Sequence, residues 1–221
     1  AEAAWKTVMR VMAACEQLEA FAAAVSLQVR ALDNVLDIAA WPLAPQASEA
    51  KAKRRLGIGF TGLADVLIML GLRYDSAQGR KMAKNIATCL RDNAYTASVA
   101  LAKERGAYPL FDPDVCLAPG TFASRLTPSM RASIRKHGLR NSHLLSIAPT
   151  GSVSLAFADC TSTGIEPVFD WSTVRHQHGD DGHRHRYEAQ DHAWRVYQSL
   201  GRATQHLPSS FVSALQIRPE D

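Results

Sequence analysis

Apolar residues recur at three- and four-residue spacings along most of this chain and alternate only late, a pattern that predicts several helices and one hairpin. The Ala- and Leu-rich stretch from Glu2 to about Ala40 reads as helix, with Phe21, Val25, Val29, Leu32 and Leu36 on one face and Trp41-Pro42 as its stop. Within it Asp33 and Asp37 lie one turn apart and are read as a solvated or hydrogen-bonded edge without chemistry. Pro42 to Lys53 is a polar connector, helical only toward its end. Leu56 to Gly62 spells GxGxxG ahead of the helical LADVLIML. The sequence after it, GLRYDSAQGRK, is a turn and another helix, not the second parallel strand a dinucleotide site needs, so these glycines are expected to allow close packing. Ser76 to Arg105 predicts one long helix capped by Ser76 and ended by Gly106. Tyr108 to Pro128, rich in Pro, predicts little regular structure, and Thr127-Pro128 opens a helix that Gly138 closes. Trp171 to His178 and His183 to Glu188 read as strands around the turn Gly179-Asp180-Asp181-Gly182, followed by a helix from Gln190 to Leu200.

Composition narrows the class without fixing it. The 221 residues, 47% of them hydrophobic, can fill one large core or two small ones, and no apolar run reaches bilayer length, so no membrane partner is expected. The opening AEAAWKTVMR has no export-signal pattern. Four dispersed cysteines (Cys15, Cys89, Cys116, Cys160) suit reduced thiols in a cytoplasmic setting. A net charge of +4, with the basic residues scattered, favours a nucleotide phosphate over a nucleic-acid duplex as partner. Ile217-Arg218-Pro219-Glu220-Asp221 has the pattern of a helix's first turn, which leads to the expectation of a truncated chain or a fold completed elsewhere.

The candidate chemistry centres on Ser142 to Phe169. Leu144, Leu145 and Ile147 read as a buried strand, Pro149 and Gly151 as a break, and Ser152 to Phe157 as a short helix. Unpaired amides at such a helix start, with the hydroxyls of Thr150, Ser152 and Ser154, make an anion site, and the same pattern also fits a serine capping an ordinary helix. In the hairpin, a four-residue turn would set His178 opposite His183 and His176 opposite His185. That puts four imidazoles on one face, able to bind zinc or nickel but more simply an exposed hairpin tip with no carboxylate or thiol fixed alongside.

IAPTGSVSL followed by TSTGIEPVF resembles the end of the catalytic barrel of ribonucleotide reductases, most closely the class II, adenosylcobalamin-dependent branch. RRLGIGFTGLADVLIMLGLRYD (Arg54 to Asp75) and LDNVLDI (Leu32 to Ile38) resemble the family's upstream segments in the same order. The resemblance spans residues 18 to 215; residues 1 to 17 match nothing recognisable and form a separate N-terminal segment in this reading.

The resemblance implies an α/β fold, mainly helical, with a few strands forming part of the family's ten-stranded barrel and a β-hairpin, over residues 18–221. Ala148, Pro149, Thr150, Gly151, Ser152 and Val153 correspond to the loop that holds the substrate's phosphates. Gly164, Ile165, Glu166 and Pro167 correspond to the next loop of the same cavity. The family's radical cysteine sits in an Asn-Pro-Cys-x-Glu loop, which this sequence lacks, and its four cysteines stand in other contexts (AACEQ, ATCLR, DVCLA, ADCTS), read as packing thiols. No catalytic residue is therefore assigned. The chain is expected to be inactive alone and to work with the rest of a reductase, as a separate chain or missing domain, on a ribonucleotide substrate. Adenosylcobalamin would be held mainly by that remainder, and exposed strand edges and helix faces favour association with a partner or a second copy. The competing readings are a non-catalytic helical binding or assembly module that keeps the reductase-like fold, and a metal-binding protein built on His176, His178, His183 and His185.

Overall fold

The computed structural model describes residues 16–179, 181–201 and 205–218. The helices are α1 (Glu16–Ile38), α2 (Ala44–Lys53), α3 (Leu63–Met69), α4 (Ala77–Arg105), α5 (Pro113–Cys116), α6 (Pro128–His137), α7 (Gly151–Phe157) and α8 (His192–Ser199). The strands β1 (Ser172–His178) and β2 (Arg184–Gln190) form an antiparallel pair, and short 3-10 turns occupy Ala123–Arg125 and Ala214–Gln216. The fold is therefore mainly helical α/β with one hairpin. No closed barrel is present among the described residues, and no described helix is long and apolar enough to cross a membrane. The predicted helix from Glu2 is seen from Glu16 onward, with its earlier part and Cys15 outside the described residues, as are Pro219 to Asp221.

The described residues group into two compact units, one of residues 16–59 and 86–146, the other of residues 60–85 and from 147 onward. In the first, Val25 and Val29 of α1, Leu90, Val99 and Leu101 of α4, Ile134 of α6, Leu139 and Leu144 are buried. Two extended segments run parallel there: the amides of Leu56 and Ile58 donate to the carbonyls of His143 and Leu144, and Ser146 N–H returns to Ile58 O. Gly57 permits this approach, since a Cβ there would stand 3.0 Å from Ser146 Cβ, which is the close-packing role expected of the glycine segment. The expected buried strand is shorter than predicted: Leu144 is buried, but only Leu145 bridges and Ile147 is 47% exposed. The expected connector is instead helical from Ala44, with Pro45 in its first turn and Glu49 paired with Lys53 one turn on.

Asp33 is not an edge residue. It is fully buried, with Oδ1 accepting from Arg54 Nε (2.8 Å) and Asn141 Nδ2 (3.0 Å) and Oδ2 from Arg140 Nε (3.1 Å). Arg54, left-handed at φ 47°, also donates to Asp37 (2.7 Å) and to Asp33 O (2.8 Å). Burial alone would raise the Asp33 carboxyl; donation from Arg54, Arg140 and Asn141 outweighs it and holds the group below the usual carboxylate range. Arg140 and Asn141, which precede the candidate turn, are thus committed to a structural hub.

In the second unit α3 and α8 pack through Ala64, Ile68, Ala193 and Tyr197 with Val168 and Phe211. Trp171 and Trp194 stack over this cluster with ring centroids 6.2 Å apart. The hairpin register differs by one residue from the four-residue turn expected. His178 pairs with Arg184, Gln177 with His185 and His176 with Arg186. Gly179 N–H bonds to His183 O, and the Asp181 carboxylate takes His183 N–H and the His185 ring, so His183 closes the loop instead of entering β2. Because side chains alternate along a strand, His176 and His178 share a face with Arg184 and Arg186, while His185 lies on the other. The four imidazoles do not converge, and among the described residues no three His, Cys, Asp or Glu side chains form a metal-holding group.

Candidate functional site

Pro149 ends the extended segment, and Thr150 turns the chain into α7 through a left-handed conformation (φ 53°, ψ 20°). Ser154 N–H makes the first intrahelical bond, to Thr150 O (2.8 Å). The amides of Gly151, Ser152 and Val153 make no hydrogen bond among the described residues, and all three residues are exposed. A Cβ on Gly151 would meet nothing within 4 Å, so the side of the turn is open. Such a turn presents unpaired donors and the positive end of a short helix to solvent.

The hydroxyls named from the sequence divide. Ser154 is buried and donates to Thr161 O. Thr150 Oγ1 lies 2.8 Å from Thr61 Oγ1 and accepts from Gly164 N–H (2.8 Å), while Thr61 donates to Ser162 O (2.9 Å). Thr61 has spent its own proton on that carbonyl, so Thr150 is the donor between the two hydroxyls. Both Thr150 and Ser154 therefore brace the turn, and Ser152 is the hydroxyl left exposed.

The second predicted loop is built against the first. Gly164, at φ 51°, brings the backbones so close that a Cβ would stand 2.7 Å from Ala148 O. Glu166 accepts from the Thr163 hydroxyl (2.8 Å), and Ile165 O accepts from Tyr74 OH (2.5 Å). Asp65, buried on α3, sets the loop's height: its carboxylate accepts from Ser162 N–H (2.6 Å) and Ala193 N–H (2.9 Å). Asp191 caps α8 through Trp194 N–H (3.1 Å), and burial, reinforced by the nearby Asp65, pushes its carboxyl up to about 7.

Two clefts flank α7. One of about 160 Å³ gathers Gly151, Ser154, Glu166, Pro167, Arg175 and Asp191. The other, about 730 Å³, is lined by Ser152, Asp159, Cys160, Tyr187 and Arg195 among others. At its edge Asp159 accepts from Arg195 (2.6 Å) and His192 (2.7 Å), which hold its carboxyl below the ordinary range. Of the sequence-predicted residues, Gly151, Glu166 and Pro167 thus meet in one cleft and Ser152 faces the other. Ala148, Pro149, Thr150, Val153, Gly164 and Ile165 form the turn and its brace and line neither cleft. Sequence reasoning missed Thr61, Asp65 and Asp191. A carboxylate inside the apolar run LADVLIML and an Asp directly before a helix were the available signals.

A two-loop, mainly helical framework with main-chain donors at a helix start defines a candidate anion-binding site. The family model for the ribonucleotide reductase barrel domain matches residues 6–219, and the chain belongs to that family. It is 38% identical over 141 residues to the vitamin B12-dependent ribonucleoside-diphosphate reductase of Mycobacterium tuberculosis (strain ATCC 25618 / H37Rv), covering 64% of this chain and 17% of that protein. It is 32% identical over 149 residues to the protein of the same name from Thermoplasma acidophilum (66% and 17%). It is 33% identical over 150 residues to the ribonucleoside-diphosphate reductase subunit alpha of Treponema pallidum (65% and 17%). The chain spans less than a fifth of the length of these relatives.

Proposed function

We propose that this chain is the substrate-phosphate portion of an adenosylcobalamin-dependent ribonucleoside-diphosphate reductase, acting in deoxyribonucleotide supply in the cytoplasm. The remainder of the enzyme, on another polypeptide or another part of a longer one, supplies the radical and redox cysteines. The observation that carries the reading is the set of free amides at Gly151, Ser152 and Val153, in the segment that resembles the family's phosphate loop. In this reading those N–H groups donate to the diphosphate oxygens, with Ala148 to Thr150 shaping the approach, Glu166 and Pro167 lining the cleft beside them, and Gly164 and Ile165 holding that second loop against the turn. The described residues do not by themselves fit a corrin: both clefts beside α7 interleave apolar residues with charged and polar ones such as Asp159, Glu166, Glu188, Arg175 and Arg195, leaving no broad, uninterrupted apolar face for such a ring.

The test has two parts. Ribonucleoside diphosphate, dithiol and adenosylcobalamin supplied to this chain alone should give no turnover; robust deoxyribonucleotide would overturn the split of roles. Titration with a ribonucleoside diphosphate should show binding that Ser152→Pro weakens by about five- to tenfold, since proline removes one donor at a helix position that tolerates it. Thr150→Ala should weaken it as well. The second reading, an assembly module that keeps the fold without catalysis, draws on the internal bonds of Thr150 and Ser154, which hold the turn without any ligand. It predicts that neither substitution changes binding.

A further inference from the structure

A cavity of about 440 Å³ lies in the other unit, that of residues 16–59 and 86–146, and takes no part in the phosphate reading. Its walls are Tyr95 on α4, Tyr108, Phe122, and the buried side chains of Leu139 and Leu144, with Cys116 at the end of α5. Tyr95 is 7% exposed, yet its hydroxyl makes no hydrogen bond among the described residues, nor does that of Tyr108. Neither oxygen is among the buried polar atoms left without a partner, so each phenol donor stays accessible to a ligand. The rings are arranged rigidly: Tyr95 and Phe122 lie near-parallel with centroids 6.0 Å apart, and Tyr108 meets Phe111 edge-on at 5.5 Å.

We propose that this cavity binds an uncharged, planar heteroaromatic molecule of the nucleobase or nucleoside class, whose ring acceptors take the Tyr95 and Tyr108 hydroxyls. Three features set the class. The volume suits a molecule of nucleoside size. The walls are mainly aromatic and aliphatic, matching a flat apolar face. Thr121, Ser142 and His143 complete the lining, and with no Asp, Glu, Lys or Arg there the cavity holds no permanent charge to neutralise a phosphate or a charged ring. Burial also keeps the polar groups in their donor forms: it pushes the Tyr95 phenol up to about 12 and raises Tyr108 and the Cys116 thiol. The site therefore offers donors to a neutral acceptor edge.

Adenosine is the probe. Ligand-observed saturation-transfer NMR on the full chain should detect binding at millimolar concentration or below, and Tyr95→Phe, which keeps the ring, should weaken it about five- to tenfold. AMP should bind through this site no better than adenosine. Residue-resolved mass spectrometry should show adenosine slowing N-ethylmaleimide alkylation of Cys116 and leaving Cys89 unchanged. Absence of saturation transfer at millimolar adenosine, equal affinity in Tyr95→Phe, or unprotected Cys116 would each overturn the assignment. Binding strengthened by the phosphate and lost with Ser152→Pro would place the nucleoside at the α7 turn instead and leave this cavity without it.

Discussion

Arg54 after α2 and Thr150 before α7 each cap a helix in the left-handed conformation, and their surroundings differ in kind. At Arg54 every guanidinium nitrogen has a partner: Asp33 and Asp37 accept from Nε and Nη1, and the Asp33 carbonyl from Nη2. At Thr150 the hydroxyl is tied down, while three amides beside it face solvent without partners. Backbone strain of this sort costs on the order of 1 to 3 kcal/mol wherever it occurs. What separates the two regions is the main-chain donors left over at the turn, not the strain.

The largest effect should come from breaking the Asp33–Arg54 hub. Asp33→Ala strands the buried Arg54 charge and should cost about 3 to 5 kcal/mol in denaturant unfolding followed by circular dichroism. The Asp33 carboxyl is held low in the folded chain, so its contribution is complete above the ordinary carboxylate value of 3.8 and is lost as pH falls through the lower folded value. The wild-type margin over Asp33→Asn should shrink in acid.

At the turn, Gly164→Ala drives a Cβ against Ala148 O and should cost about 1 to 3 kcal/mol. It should also weaken ribonucleoside-diphosphate binding in the same titration, because both loops shift; unchanged binding would separate the brace from the site. Thr61→Val, which keeps the shape and removes the hydroxyl between Thr150 and Ser162, should cost about 0.5 to 1.5 kcal/mol, with Thr61→Ser restoring it.

The gentlest probe is pH. Asp191 is raised from 3.8 to about 7, so ionising it disfavours the folded state. Relative to Asp191→Asn, wild-type stability should be highest below about pH 4, fall between about pH 4 and 7, and stay level above. A constant difference across that range would remove Asp191 from the buried pair with Asp65.

Helix existence was legible because it depends on local signals: Ser76, Thr127 and the glycines at 106 and 138 cap or end their helices as the sequence predicts. The turn at Thr150 was legible as a break followed by small residues. What escaped depends on distant partners. Asp33 reads as an edge carboxylate until Arg140 and Asn141 arrive from more than a hundred residues away. Nothing local tells that Thr61 will meet Thr150 across 89 positions. The hairpin register turned on a single residue, because Asp181 draws His183 into the loop, and a shift of one exchanges the faces of every side chain.

The contact between Gly164 and the Ala148 carbonyl carries one more consequence. Where two loops touch main chain to main chain, the surface they make is the same peptide chemistry whatever side chains the neighbouring positions carry. If the proposed phosphate site holds, such a surface would grasp a group common to a whole set of molecules without telling its members apart, and discrimination between one nucleoside and another would have to be written elsewhere.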